Sequence, residues 1–401
     1  MTVIDRFLKY IAIETTSTED IDTIPTSQKE FDLARVLVAE LKQLGAEDVV
    51  LTDNCYVYAH LSPNCDCNTK AIGFIAHLDT SPDVSGSNIK AKVIDYEGGD
   101  IIRDNGIITR AADFKALSKL IGHQLIISDG TTLLGADDKA GVSEIMTMVE
   151  YLLAHPEIPH GYIGICFTPD EEVGLGTSRF EMDKFPCDYA YTVDGGGLGE
   201  IEYENFNAAS VKVVANGLNI HPGSAKNLMK NALLMANEFI SLFPQAESPA
   251  HTEGYEGFYH FNSIQADESK AMLSMIIRDH DYSLFEKRKQ FVQDVSDFLN
   301  CKYGAGSFEI EIIDTYYNMK ELILPHKEIL ERAEKAFRKA GISTSYVPIR
   351  GGTDGAMLSY QGLPCPNLST GGGNFHSIHE YASVNEMEKM VEVLINIATS
   401  L

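Results

Sequence analysis

The chain reads as an α/β protein with helices on both faces of its main sheet and a smaller α+β domain inserted into it. Three features of the 401 residues predict this. Short apolar runs alternate with helical periodicity through the first half. Near residue 207 the order becomes strand-helix-strand-strand-helix-strand, the ferredoxin-like arrangement. After Met319 the first style returns.

Gln28–Leu44 carries apolar residues at helical spacing and stops at Gly45. Val49–Leu51 and Val57–His60 read as strands. Ala71–His77 is a continuous apolar run of strand length, which predicts a strand buried on both faces. Leu133-Leu134 leads into Gly135, and Ala140–Leu153 is a helix. Tyr162–Thr168 and Tyr189–Val193 are further buried strands. In the inserted block, Ala208–Ala215 is a strand and Ser224–Phe243 a helix. Gly257–Gln265 and Ala271–Asp279 are strands joined by the polar turn Ala266–Lys270. Leu284–Tyr303 is a helix and Phe308–Tyr316 a strand. Beyond it come helix His326–Ala340, strand Thr344–Ile349 and helix Asn385–Ser400. The main domain is therefore discontinuous, residues 1–206 and 319–401, with 207–318 inserted. Pro82–Asp129 is poorly periodic and receives no elements.

Composition narrows the function. The formal net charge of −26 gives no basic footprint for a polyanion, which argues against nucleic acid. No apolar stretch approaches a membrane span, and Met1–Tyr10 lacks the features of a signal peptide, so a cytoplasmic enzyme is expected. The seven cysteines include Cys65-Asp66-Cys67, read as reduced loop thiols, and Cys166, read as core.

Five segments carry Asp, Glu or His at a strand end or glycine turn. They are His77-Leu78-Asp79, Gly135-Ala136-Asp137-Asp138-Lys139, Asp170-Glu171-Glu172, Asp194-Gly195-Gly196 and His376-Ser377-Ile378-His379-Glu380. In α/β sheets, ligands gather beyond the carboxyl ends of the strands. Carboxylates mixed with imidazoles suit divalent metals. His77 and Asp79 share one side of an extended chain, so Asp79 can hydrogen-bond a metal-bound His77. Asp137 and Asp138 precede a helix, where one Asp would suffice as a cap. Asp170-Glu171-Glu172 gathers like charges that a cation would relieve. One of those glutamates can hold metal while its neighbour moves a proton. Either His376 or His379 could complete such a site.

In order and spacing these blocks resemble the M20 family of co-catalytic zinc aminopeptidases and deacylases. The resemblance covers almost the whole chain. Gly130–Gly141, Phe167–Gly174 and Arg350-Gly351-Gly352-Thr353-Asp354-Gly355 narrow it to the family's tripeptide aminopeptidases. It implies a mixed-sheet zinc-peptidase catalytic domain with an inserted lid and dimerisation domain. It implies two Zn2+ per subunit, with His77 and Asp194 on one, Glu172 and His376 on the other, and Asp137 bridging. It implies Glu171 as general base and Asp79 as the partner of His77. It further implies that His221, in Asn219-Ile220-His221-Pro222-Gly223, reaches the active site of a partner subunit, as expected of a homodimer. Arg278 and Arg350 are implied as binders of the substrate carboxylate, a task that suits the guanidinium fork. The alternatives are another M20 activity, dipeptidase or N-acyl amino acid deacylase, or a non-catalytic metal-binding relative.

Overall fold

A computed structural model describes residues 1–66 and 69–400. The chain forms two compact units. One comprises Met1–Tyr203, Glu321–Val347 and Thr353–Leu401, and the other Glu204–Lys320 and Pro348–Gly352.

The first unit is built on an eight-stranded mixed sheet. Ile72–His77 lies near its centre, parallel to Ile163–Thr168 on one side and to Tyr189–Gly195 on the other. Every residue of Ile72–His77 and of Ile163–Thr168 is buried, which explains why both read as unbroken apolar runs. Gly73 and Gly164 sit side by side in register because the Phe185 ring lies over both. A Cβ on Gly73 would come within 2.3 Å of that ring. Helix Ala136–Ala154 packs against Ile72–His77 and Tyr189–Gly195. It approaches so closely that a Cβ on Gly141 would lie 1.8 Å from the Val193 carbonyl oxygen. Asp137 and Asp138, inside the first turn of this helix, have non-helical backbone angles, so regular helix begins only after them.

The stretch 82–129 does contain structure. Lys92–Asp95 and Gln124–Ile127 join Tyr381–Ser383 and Gly372–Gly373 in a four-stranded antiparallel sheet. Its strands are two to four residues long and their partners lie far away in sequence, so no periodicity marks them. The sheet has one consequence for the site. Gly372–Gly373 and Tyr381–Ser383 form a hairpin whose loop carries His376.

In the second unit, the strands Phe258–Ala266, Lys270–Asp279, Asn207–Asn216 and Phe308–Tyr316 lie in that spatial order, all antiparallel. Helices Ala232–Ser241 and Tyr282–Tyr303 pack on the sheet, burying Met235, Phe239, Phe285, Val292 and Leu299 against Val211, Val213, Leu273, Met275 and Ile277.

Three readings are corrected. Helix Ser224–Phe243 shrinks to Ala232–Ser241, because Leu218 and Lys230 exchange main-chain hydrogen bonds that hold the residues between them as a loop. Asn231 then caps the helix by accepting the Leu234 N–H. Strand Thr344–Ile349 is only Ser345–Tyr346, since Pro348 has no N–H to donate and the chain leaves the first unit there. Cys65 is disulfide-bonded rather than a reduced thiol, and Cys67 lies outside the described residues. Cys166 is core, as read. Among the described residues no helix is long and apolar enough to cross a membrane.

Glu144, in helix Ala136–Ala154, is fully buried and neither carboxyl oxygen has a hydrogen-bond partner. Burial, aided by Glu386, raises its pKa well above the ordinary value. An acid raised on folding weakens the fold as pH climbs past its unfolded pKa. Glu144→Met should therefore raise stability by roughly 1–3 kcal/mol at pH 8 and by less at pH 5, measured by urea unfolding. A variant no more stable than the parent at pH 8 would contradict this.

Candidate metal centre

The parallel strands bring the chemistry together. Ile72–His77 and Ile163–Thr168 end in register, His77 beside Thr168. Asp170–Glu172 follow the second of these strands, and Asp194 lies at the carboxyl end of the parallel strand Tyr189–Gly195. His77 Nε2 lies 2.8 Å from Asp137 Oδ1 and 3.4 Å from Asp194 Oδ1. His376 Nε2 lies 2.8 Å from Glu172 Oε2 and 3.5 Å from Asp137 Oδ2. Asp137 thus faces one imidazole with each oxygen. His77, Asp137 and Asp194 form one group with ligand atoms within 4.8 Å of each other, and Asp137, Glu172 and His376 form a second.

Buried carboxylates hold these residues from behind. His77 Nδ1 lies 3.1 Å from the Asp79 carbonyl oxygen and 3.3 Å from Asp79 Oδ1. Asp79 also accepts the main-chain N–H of Glu171 at 3.0 Å and of Glu172 at 3.2 Å. Glu380 accepts the N–H groups of Leu134 at 2.6 Å, Gly135 at 2.8 Å and Asp137 at 3.1 Å, fixing the turn that presents Asp137. Asp138 turns away from the cluster and accepts the N–H of His77 at 3.1 Å and of Gly141 at 3.3 Å. Lys139 is buried and donates to the Ile13 carbonyl at 2.7 Å. On the far side of His376, Nδ1 meets Asp83 Oδ2 at 3.1 Å and Ser81 Oγ at 3.3 Å. His379 stands apart from both groups, with Nδ1 2.8 Å from Thr109 Oγ1 and its ring against Phe114.

The acids strain against one another electrostatically. Burial pushes Glu172 up to about 8 and Asp194 up to about 6. Burial, followed by the charge of Asp194, raises Glu171 well above the carboxylate range. Burial opposes charge on His77, but the surrounding Asp194, Asp137 and Asp79 carboxylates overcome it and raise the pKa. Hydrogen bonds to Asp137 and Glu172 lift His376 to about 11. Asp137 alone is lowered, because the two imidazoles outweigh its burial. Glu172 Oε1 is buried without any hydrogen-bond partner. Crowded acids, facing imidazole nitrogens and an orphaned carboxylate oxygen are what a pair of divalent cations would satisfy. The donor set fits hard or borderline metals.

His221, Arg278 and Arg350 belong to the second unit. His221 is exposed, and its Nδ1 accepts the Gly223 N–H at 3.2 Å. Arg278 donates to the Ile277 carbonyl at 2.9 Å and lies over the Tyr316 ring. Arg350 donates to the carbonyls of Gly254 and Glu256 at 2.7 and 2.9 Å and to Thr252 Oγ1 at 2.9 Å. Its guanidinium also packs over Phe206 and Phe258, so it braces the 252–256 segment.

Sequence reasoning gave no role to Glu380, Asp83 or Ser81. Glu380 appears in the sequence only as the last residue of the segment that opens with His376. Asp83 lies in the aperiodic stretch and had no signal. A cleft of about 680 Å3 along Lys90–Asn105 shares no residue with either ligand group.

Residues 125–400 match the model of peptidase family M20/M25/M40. The chain belongs to this family. It is 51% identical over 398 residues to a Peptidase T of Caldanaerobacter subterraneus, covering 98% of this chain and 97% of that relative. It is 52% identical over 398 residues to a Peptidase T of Halothermothrix orenii, covering 98% of each. Among solved structures it shares its fold with aminopeptidase PepT from Bacillus cereus, at TM-score 0.76 and 22% identity over 99% of this chain and 97% of that one. A tripeptidase from Staphylococcus aureus matches at TM-score 0.77 and 20% identity with the same coverage. M20 architecture therefore accounts for both the mixed sheet and the inserted antiparallel unit.

If Glu380 sets the Asp137 turn, Glu380→Ala should weaken divalent-ion affinity about 10–100-fold, read by competition with a chromophoric chelator. Unchanged affinity would remove Glu380 from the site.

Proposed function

We propose that this chain is a metallo-aminopeptidase that releases the N-terminal residue from tripeptides, using two Zn2+ per subunit. The observation that carries the reading is Asp137 standing between two imidazole-carboxylate groups. The full-length likeness to relatives named Peptidase T supports a peptide substrate. His77 and Asp194 would hold one ion, Glu172 and His376 the other, and Asp137 both. Such a pair supplies Lewis acidity and makes water a competent nucleophile near neutral pH.

The chain's own residues do the rest. Glu171 takes a proton from the attacking water and returns it to the leaving amine. Asp79 orients His77 and, through the Glu171 and Glu172 N–H groups, the base as well. His221, Arg278 and Arg350 are assigned to substrate contacts by the family resemblance. We include in the same proposal a homodimer in which His221 acts on the partner's site. Exposed Leu218, Leu228, Leu233 and Leu234 in the second unit support such an interface. A cytoplasmic location completes the proposal.

Glu171→Ala should lower kcat roughly 10²–10⁴-fold while metal content by elemental analysis stays at the parent value. Normal turnover in that variant would overturn the base assignment. His77→Ala should lower metal content and rate together. A tripeptide should be cleaved and its N-acetylated form should not. Faster hydrolysis of dipeptides or N-acyl amino acids would replace the tripeptidase reading with one of those activities. Mixing His221→Ala with Glu171→Ala protomers should restore activity, and no recovery would reject action across subunits.

A further inference from the structure

The Glu171-Glu172 pair is held by its main chain, and one of the groups that hold it lies far away in sequence. Three consecutive N–H groups, those of Asp170, Glu171 and Glu172, point into buried carboxylates. Asp79 takes the last two. Glu30 Oε2 takes the first, at 3.2 Å. Glu30 opens helix Glu30–Leu44, is fully buried, and accepts the Ser27 N–H on Oε1 at 3.3 Å. The grip is reciprocal. Asp170 accepts the Thr26 N–H at 2.9 Å on each oxygen and the Thr26 hydroxyl at 2.5 Å.

Asp170 needs this grip. Its φ of +56° lies in the left-handed region, which costs a residue with a side chain energy unless its surroundings fix it. That backbone angle turns the chain sharply after Phe167-Thr168-Pro169, so the next two N–H groups meet Asp79. Downstream, the Leu175 N–H closes onto the Asp170 carbonyl at 3.0 Å and the Gly174 N–H onto Glu171 at 2.7 Å. Glu30 and Thr26 belong to neither ligand group. Remove the Glu30 carboxyl and the buried Asp170 N–H loses its partner, leaving a group that must open the loop to reach water.

We propose that Glu30 is a positioning residue: by fixing Asp170 it aims the Glu171 and Glu172 carboxylates. The inference rests on the reading of Glu171 as base and Glu172 as ligand given above. Burial, with Asp79 and Asp170 close by, lifts the Glu30 carboxyl to about 10, so it is neutral at pH 7. Glutamine keeps one carbonyl oxygen to accept the Asp170 N–H and gives up only the longer contact with the Ser27 N–H, which makes Glu30→Gln the conservative control.

The test compares Glu30→Ala, Glu30→Gln and Glu171→Gln in the full-length, metal-loaded enzyme, with hydrogen exchange also followed on the metal-free protein. In Glu30→Ala, exchange of the amides in residues 170–175 should quicken about tenfold or more while the amides of the sheet strands keep parent rates. Its kcat should fall about 10–100-fold with KM within about twofold. Glu30→Gln should restore both readouts. Parent exchange and parent kcat in Glu30→Ala would overturn the proposal. So would exchange that quickens across the whole first unit, with activity tracking the folded fraction, since Glu30 would then be a fold residue only. Parent activity in Glu171→Gln would reject the base reading by itself, and the loop-exchange result would then decide whether Glu30 aims this segment.

Discussion

The Asp137 carboxylate lies between two histidines that belong to opposite ends of the sequence, and a set of buried groups in the first unit keeps it there. One oxygen faces His77 at 2.8 Å and the other faces His376 at 3.5 Å. Neither contact survives a shift of about an ångström in the turn before helix Ala136–Ala154. That turn is held from three sides. Glu380 takes three of its N–H groups, Asp138 ties it to the main chain of His77, and Lys139 anchors it to Ile13. Gly141 lets the helix lie directly on the strand that ends in Asp194. The spacing of Asp137, Lys139 and Gly141 follows from this: the first faces the two imidazoles, the second anchors the turn and the third removes a Cβ.

A single device recurs around the site. Buried carboxylates that carry no assigned chemistry accept main-chain N–H groups and so fix the direction of carboxylates that do. Asp79 and Glu30 do this for 170–172, and Glu380 for 134–137. Inside a protein, where water does not compete, such hydrogen bonds are electrostatically stronger than in solution. Such a scaffold tolerates the mutual repulsion recorded in the raised pKa values of Glu172, Asp194 and Glu171. Preorganisation of this kind lets a site gather like charges before its cations arrive.

Legibility in the sequence followed burial and contact range. The buried parallel strands were plain because burial on both faces demands unbroken apolar runs. The inserted unit was plain because its antiparallel strands alternate. The 82–129 stretch was opaque, since its short strands pair with residues near 126 and 381 that no local pattern connects. Ser224–Phe243 was over-read as one helix because good helix formers run through a segment that the pairing of Leu218 with Lys230 closes into a loop. Cys65, read as a reduced loop thiol, is disulfide-bonded.

By itself, the sequence determined which residue types could bind metal and that they sit where α/β strands end. Those are local properties, set by side-chain chemistry and by the hydrophobic demand of each strand. Its family resemblance ordered the candidates into roles. Only the tertiary structure decided which side chains stand behind them. Asp83 and Ser81 back His376, Glu380 backs Asp137, and Glu30 backs Asp170, across sequence gaps of 293, 295, 243 and 140 residues. A hydrogen bond depends on tenths of an ångström between atoms brought together by the whole fold, and no local spacing encodes that distance.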